Sequence, residues 1–355
     1  MGRSSVFSLE QIYRKQITQT WSKIPEVFKF VKDVATSPKG YFAGGSTPSR
    51  TSRVDRIDFD NDTLTASHRG PLTDVKNYTA GTSSLSGGYI AGDGIPFGEG
   101  KSTVDRIDYS NDLAVATAKG KLGWSTMYAV GTGNKDFGYV VGGFNPSYAN
   151  AGTLVNRIDY TNDTATATPK GPLAAVQYSG GAAGNQVYGY IGGGSPTSTG
   201  NTIVQRIEYA NDTTSSLKGN LSVTRYGLGA ASNKDYAWFG GGAPPSPGNS
   251  TVDRIDFASD TSTASVRGPL AMGTGTNGAY YIAATGNQNF GYWAGGSPNT
   301  TVINRVEYAN DTATAVRKGQ LTAPNPGIYA ASGVSCKANA NPDIISATRT
   351  ETGLV

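Results

Sequence analysis

The sequence predicts an all-β fold built of six similar four-stranded sheets, and three observations carry this prediction. A motif of the form Val-Asp-Arg-Ile-Asp-Tyr recurs six times along the 355 residues, and its arginines are spaced 48 to 51 residues apart. The chain contains 48 glycines and 17 prolines, a composition that suits many short strands joined by tight turns. Each recurrence also carries four short strand-like segments in the same order. Because units of this length with four strands are typical of propeller blades, we expect a closed six-bladed β-propeller.

Each unit opens with an aromatic strand that ends in glycines, such as YFAGG at 41–45. A variable loop, the arginine strand and an Asn-Asp turn follow. A small Thr/Ala strand then runs into a Lys/Arg-Gly step with a leucine two residues later, and a strand with Tyr and Gly closes the unit. The repeats fill 41–336, with units starting near residues 41, 89, 139, 190, 238 and 292.

The order of these parts also predicts how the ring closes. The last Tyr/Gly strand, in 328–334, is equivalent to 78–84, which comes before an aromatic strand. The first unit begins at its aromatic strand and has no such strand before it. We therefore expect the last strand of the chain's repeats to pair with the first unit.

The repeated arginine lies two residues before an acid in every unit. Residues two apart on a strand share one face, so equivalent pairs should line up from blade to blade. We interpret these arginines as structural, forming a ladder of ion pairs between blades. They are Arg56, Arg106, Arg157, Arg206, Arg254 and Arg305.

Both ends of the chain depart from the repeat. Residues 1–40 hold seven basic and three acidic side chains, while the rest of the chain is neutral. Apolar residues at helical spacing predict two short amphipathic helices, at 8–24 and 25–35. This arm would pack against the propeller, dock on another protein or lie on a membrane surface; we favour docking, through Ile12, Tyr13, Ile17, Trp21, Phe28 and Val31. Residues 337–355 are polar, and we expect an extended or loose tail.

The residue inventory argues against an enzyme. With one histidine, His68, and one cysteine, Cys336, the chain cannot build a site that needs two histidines or a Cys-based zinc site. The glycine runs lack the Lys-Ser/Thr of a phosphate-binding loop. We therefore expect no catalytic residue, no metal and no cofactor. The neutral body gives no footprint for nucleic acid, and no apolar run is long enough to span a membrane.

The repeat resembles the kelch repeat, most clearly over residues 138–173, although Ala or Ser stands where kelch repeats usually have a Trp after the turn. The combination of YxxGG, VDRIDY, NDTATA and KGPL is similar to kelch-like proteins of marine bacteriophage particles. Galactose oxidase also has a kelch-type propeller, but its copper chemistry needs several His and Tyr ligands. The resemblance therefore implies a virion protein rather than an oxidase.

We expect a non-enzymatic structural protein of the virion, associated with a tail or fibre and assembled in the bacterial cytoplasm. Its partners would be other virion proteins and a host-surface glycan or protein, with multiple copies per particle. The candidate binding residues are aromatic side chains in the variable loops: Phe97, Phe144 and Tyr148. The alternatives are a cellular kelch-type interaction adaptor and, third, a carbohydrate-binding or carbohydrate-active propeller.

Overall fold

The computed structural model describes residues 28–32, 38–94, 100–147, 151–194, 199–244, 248–271, 279–298, 300–324, 327–342 and 345–349. The chain divides into two compact units, one of residues 38–341 and one of residues 1–37 with 342–355. In the part of the chain that is described, no helix is long and apolar enough to cross a membrane.

The larger unit is a six-bladed β-propeller, as the repeat predicts, and each blade is an antiparallel four-stranded sheet. Within a blade, the strands run from the inner strand at the centre to a short outer strand at the rim. Blades 1 to 3 consist of Ser332–Ser335, Lys39–Ala43, Val54–Asp58 and Ser67–His68; Ala80–Ser83, Gly87–Ala91, Val104–Asp108 and Thr117–Ala118; and Val130–Gly133, Phe137–Val141, Val155–Asp159 and Thr168–Pro169. Blades 4 to 6 consist of Gly181–Gly184, Tyr188–Gly192, Val204–Glu208 and Ser216–Leu217; Gly229–Ser232, Tyr236–Gly240, Val252–Asp256 and Ser265–Arg267; and Ala283–Gly286, Phe290–Ala294, Val302–Glu307 and Val316–Gln320.

The two ends of the propeller are joined within blade 1. Its inner strand, Ser332–Ser335, pairs with Lys39–Ala43, and Val334 lies opposite Tyr41. The predicted closure is therefore confirmed. A closed ring leaves each sheet with one short outer edge, which limits pairing with other chains.

The inner strands consist largely of Ala, Gly, Ser and Thr because they pack closely around a narrow central channel. A side chain at Gly131 would overlap the carbonyl of Gly81 in the neighbouring blade, and one at Gly333 would overlap that of Ala284. Backbone hydrogen bonds also link the blades just before these strands. The amide of Tyr128 donates to the carbonyl of Tyr78 at 2.9 Å, and the amide of Tyr78 donates to that of Ala330 at 3.0 Å.

Aromatic rings join each blade to the next. The aromatic side chain of a blade's second strand stacks on the aromatic residue that directly follows the third strand of the next blade, with ring centroids 3.8 to 5.0 Å apart. The six pairs are Tyr41–Tyr109, Tyr89–Tyr160, Tyr139–Tyr209, Tyr190–Phe257, Trp238–Tyr308 and Tyr292–Phe59.

The six repeated arginines also contact the next blade. Each lies within 4 Å of the aspartate of that blade's Asn-Asp turn, as Arg206 Nη1 does with Asp260 at 2.7 Å. The partner in the neighbouring blade is thus the turn aspartate, and Arg106 also lies 3.7 Å from Asp108, the acid two residues along its own strand. The pairs are Arg56–Asp112, Arg106–Asp163, Arg157–Asp212, Arg206–Asp260, Arg254–Asp311 and Arg305–Asp62.

The smaller unit contains a two-stranded antiparallel sheet in which Phe28–Lys32 pairs with Ile345–Arg349. The helix predicted over 25–35 is therefore wrong at 28–32. The sequence FKFVK alternates apolar and basic residues at its start and is rich in aromatic and β-branched residues, which favours a strand once a partner is present. The helix predicted at 8–24 lies outside the described residues.

A short segment after the closing strand crosses one end of the channel. Asn339, in the 3₁₀ turn Ala338–Ala340, accepts a hydrogen bond from the amide of Gly184 in blade 4 at 3.1 Å. Asn341 accepts one from Gln186 at 2.9 Å and donates one to the carbonyl of Ser83 in blade 2 at 3.3 Å. The end of the propeller chain is thereby fastened to two blades other than its own.

Candidate functional site

The long connections of the propeller all lie on one face, at the mouth of the channel opposite Asn339. They comprise the loops between second and third strands and the segments that lead from each outer strand to the next blade. The turns on the other face are short and nearly identical in the six units. Differences between blades therefore concentrate on the loop face, where a rigid scaffold usually carries its binding residues.

A ring of side chains surrounds the mouth at one equivalent position in each unit. In four units this residue is a half-buried tyrosine: Tyr178, Tyr226, Tyr280 and Tyr329. In the other two it is Asn77 or Met127. Because the two smaller side chains are consecutive around the ring, the ring of tyrosines is open on that side.

A cleft of about 850 Å³ lies at this opening and spans blades 1 to 3. Its aromatic walls are Tyr78, Tyr128, Tyr329 and Phe144, and Phe144 is 40% exposed. The volume lies within the range of small-molecule sites, which spans about 300 to 1,000 Å³. Proline side chains and Met127 complete an apolar lining around a few polar groups.

The polar floor of this mouth cleft is organised by Asp93, which is fully buried. Its carboxylate pairs with Arg50 Nη2, accepts the amide of Asn77 at 3.1 Å and lies 3.3 Å from Lys101 Nζ. Lys101 also donates to Asp74 at 2.8 Å, and this hydrogen bond raises the pKa of the lysine and lowers the pKa of the carboxyl group. Among the described residues of this floor, two cations thus face two carboxylates, and their charges cancel.

Two polar atoms of the cleft residues have no hydrogen-bond partner within the described structure. Asn77 Oδ1 is buried and unpaired, although the amide nitrogen of the same side chain donates to Ser46 Oγ at 2.9 Å. Arg50 Nε is buried and unpaired, although Nη2 of the same side chain donates to the carbonyl of Val75 at 2.7 Å. Both atoms are shielded from solvent, and an unpaired buried Nε also occurs at Arg69, Arg157, Arg206, Arg225, Arg267 and Arg305, so neither atom by itself marks a ligand contact.

Three tyrosines cover the channel beside the cleft. The ring of Tyr78 lies 4.3 Å from that of Tyr128 and 4.9 Å from that of Tyr281. Burial raises the pKa of all three hydroxyl groups, so they are neutral donors at physiological pH. Below them the channel holds only about 120 Å³, lined by small residues. The cleft, rather than the channel, therefore has room for a ligand larger than a few water molecules.

Of the three loop residues that the sequence analysis singled out, Phe144 lines the cleft, while Phe97 and Tyr148 lie outside the described residues. Phe28 and Val31 of the proposed anchor lie in the strand Phe28–Lys32. The other anchor residues, Ile12, Tyr13, Ile17 and Trp21, lie outside the described residues. His68 is exposed on an outer strand.

Sequence reasoning missed Asn77, Arg50 and Asp93. The signal was nevertheless present in the repeat. Asn77 replaces a tyrosine of four other units, and Asp93 replaces the second glycine that the five other units share. Aligning the six units and asking where one of them differs would have identified these positions.

Among the described residues, no group of three or more His, Cys, Asp and Glu side chains is placed to hold a metal ion. The fold and the cleft define the protein as a six-bladed β-propeller with a tyrosine-rich mouth. No protein-family model matches the chain, and no curated protein matches it either.

Proposed function

We propose that this protein is a non-enzymatic structural protein of a bacteriophage particle, with the propeller as a displayed head that binds the host surface. The observation that carries the binding role is the mouth cleft, which places four aromatic rings, among them the exposed Phe144, on the loop face of a rigid scaffold. The assignment to a phage particle rests on the likeness of the repeat to kelch-like virion proteins.

The construction of the propeller suits a displayed head. The same aspartate and aromatic contacts recur at all six seams, so the scaffold tolerates variation in its loops without losing its shape. Multiple copies on one particle would raise weak individual contacts to useful avidity.

Attachment to the particle is assigned to the smaller unit, residues 1–37 with 342–355. The basic excess of the chain lies in residues 1–40, and it favours an acidic partner surface in a salt-dependent manner. The repeats close their ring without a strand from this unit, so closure of the propeller does not depend on it.

Comparing purified particles that carry the full chain with particles assembled from a form lacking residues 1–37 tests this proposal. We expect mass spectrometry to detect the full chain in the particle and to detect no truncated form there. The purified truncated form should nevertheless be folded and monomeric. If the truncated form aggregates, the N-terminal residues belong to the propeller instead. If the full chain is missing from particles and captures a cellular protein, the adaptor hypothesis replaces the virion one.

A further inference from the structure

We propose that blade 6 is a gate built into the ring. It separates from its neighbours before any other blade and carries Tyr281 away from the tyrosines that cover the channel. Tyr281 comes shortly before the inner strand of this blade, Ala283–Gly286, and its ring lies 4.9 Å from that of Tyr78. The gate rests on three contacts that recur between blades and that are altered at the two seams of blade 6.

The first contact joins the third residue of an inner strand to the aromatic residue that directly follows the third strand of the next blade. Thr82 Oγ1 lies 2.6 Å from Tyr160 Oη across the seam between blades 2 and 3. Thr132 Oγ1 lies 2.9 Å from Tyr209 Oη across the seam between blades 3 and 4. A threonine in one blade thus satisfies the buried tyrosine hydroxyl of the next.

Two other seams reach the same result with different residues. Ala183 packs in one cluster with Phe257, so neither side of the contact between blades 4 and 5 is polar. Tyr109 packs against the cluster that contains Val334 of blade 1, and its hydroxyl donates to Ser83 Oγ at 3.3 Å within its own blade. At these seams, too, the residues of this contact carry no unpaired hydroxyl within the described structure.

The match is lost at both seams of blade 6. Tyr308 of blade 6 packs in one cluster with Ala231 of blade 5, and Thr285 of blade 6 lies beside Phe59 of blade 1. The hydroxyls of Tyr308 and Thr285 are buried and have no hydrogen-bond partner in the part of the chain that is described. An unpaired buried hydroxyl costs free energy that is recovered when the blades separate, because water then reaches it.

The second contact is a circle of backbone hydrogen bonds around the channel. In five steps, the amide of a residue with positive φ donates to the carbonyl of the equivalent residue in the preceding blade, at 2.5 to 3.0 Å. At blade 6 the equivalent residue is Tyr281, but the bond to the carbonyl of Gly227 comes from the next amide, that of Ile282, at 3.4 Å. The circle is therefore displaced by one residue and weakened between blades 5 and 6.

The third contact is made by a residue that bridges two blades shortly before each inner strand. Its carbonyl accepts a backbone bond from one blade, and in four units its side chain donates to the next blade, as Arg225 Nη1 does to the carbonyl of Gly241 at 2.8 Å. The four residues are Lys76, Thr126, Gln177 and Arg225. At the two seams of blade 6 the bridging residues are Ala279 and Ile328, whose side chains cannot donate.

The seam between blades 5 and 6 carries all three changes, so separation begins there. The seam between blades 6 and 1 keeps its backbone bond, from Ala330 to Tyr281 at 2.9 Å, and the amide of Thr322 also donates to Asp55 at 2.7 Å. The aspartate and aromatic contacts are present at both seams and hold the blade closed most of the time. The gate is therefore a local opening of low free energy rather than a second stable structure.

Hydrogen exchange of the full chain, followed by mass spectrometry, tests the gate. Where exchange follows the opening equilibrium, we expect amides of 280–286 and Phe290–Ala294 to exchange about tenfold or more faster than those of Val130–Gly133 and Phe137–Val141 in blade 3. Equal rates, or faster exchange in another blade, overturn the proposal. Fast exchange in Phe290–Ala294 alone would mean that blade 6 opens without moving Tyr281, and the gate would be wrong.

Three variants test the cause of the opening. Tyr308→Phe removes an unpaired hydroxyl, and Ala231→Thr supplies the partner that Thr82 provides elsewhere. We expect each to slow exchange in blade 6 by about fivefold, the worth of one hydrogen bond. Tyr308→Phe needs no added space, so its result decides if the threonine overpacks the seam. No slowing in either variant contradicts the proposal.

Thr132→Ala is the matched control, because it creates the same mismatch opposite Tyr209. It should speed exchange in blade 4 by a similar factor and leave blade 6 unchanged. Faster exchange in all six blades would mean that the ring opens as a whole, and it would overturn a gate at blade 6.

Discussion

At the scale of single residues, the turn aspartate of each unit has several hydrogen-bond and ion-pair partners in the preceding blade. Asp212 accepts a hydrogen bond from Tyr139 at 2.5 Å, pairs with Arg157 and lies 3.0 Å from Lys170. All three partners come from the preceding blade. An almost buried carboxylate with two cations and a hydroxyl donor is well compensated, which explains why these residue types recur in each unit.

Replacing Arg157 with alanine tests this network. The guanidinium group is about one-quarter exposed, and Asp212 keeps Tyr139 and Lys170 as partners. We therefore expect a loss of about 1–2 kcal/mol in the free energy of unfolding, between the costs of exposed and buried pairs. Urea denaturation measures it.

The control is Lys135→Ala, which removes an exposed pair with Asp136 in the same blade. That change should cost under about 0.5 kcal/mol. Equal losses in the two variants would mean that the contact between blades contributes nothing beyond a surface ion pair.

The arginines could be predicted from the sequence, but their partners could not. Spacing along one strand suggests the acid two residues away, because both side chains share a face. In five of the six pairs the turn aspartate lies 54 to 57 residues away in the neighbouring blade, as Asp112 does from Arg56, and across the ring closure Asp62 lies 243 residues from Arg305. Only the stacking of one sheet on the next brings the two together.

At the scale of elements, the seam between blades explains the invariant glycine of the Lys/Arg-Gly step. Gly219 donates its amide to the carbonyl of Asp260 in the next blade at 2.8 Å. A Cβ at this position would overlap the carbonyl oxygen of Ser262. The other five glycines at this step make the same bond and face the same obstruction: Gly70, Gly120, Gly171, Gly268 and Gly319.

Gly219→Ala should therefore destabilise the propeller by about 1–3 kcal/mol, as expected for overpacking against backbone. Thermal and urea unfolding measure the loss. Gly123→Ala is the matched control, because its nearest neighbour would be Asn156 Oδ1 at 3.1 Å, a side-chain atom. If Gly123→Ala lowers the free energy of unfolding as much as Gly219→Ala does, a general effect of replacing glycine, rather than the contact between blades, explains why glycine recurs at this step.

The strands inside the repeat could be predicted from the sequence, and the strands outside it could not. Six copies of one strand order overdetermine the blades, and the leftover strand of 328–334 predicts the closure. The strand Phe28–Lys32 has no second copy to compare, and its apolar residues also fit helical spacing. Its partner Ile345–Arg349 is more than three hundred residues away, so no local pattern reveals the pairing.

At the scale of the whole molecule, tyrosine is the residue that unites the seams and the mouth. The chain has 20 tyrosines, and the hydroxyls of five of them donate to turn aspartates across a seam. The cleft arises where this abundance is interrupted, at Asn77 and Met127. The same residue type therefore joins the blades and surrounds the mouth, and its ionisation should affect the whole fold.

This dependence predicts cooperative unfolding at alkaline pH. Burial, reinforced in all five cases by an aspartate partner, raises the pKa of the seam tyrosines Tyr41, Tyr89, Tyr139, Tyr190 and Tyr292. Because their folded pKa lies above the unfolded value of about 10, their contribution is complete below that pH and is lost as pH rises above it. We expect their phenolate absorbance to appear together with the loss of the circular dichroism signal. Smooth ionisation of every tyrosine near pH 10 with the fold intact would show that the seam hydroxyls are accessible to solvent and do not hold the blades together.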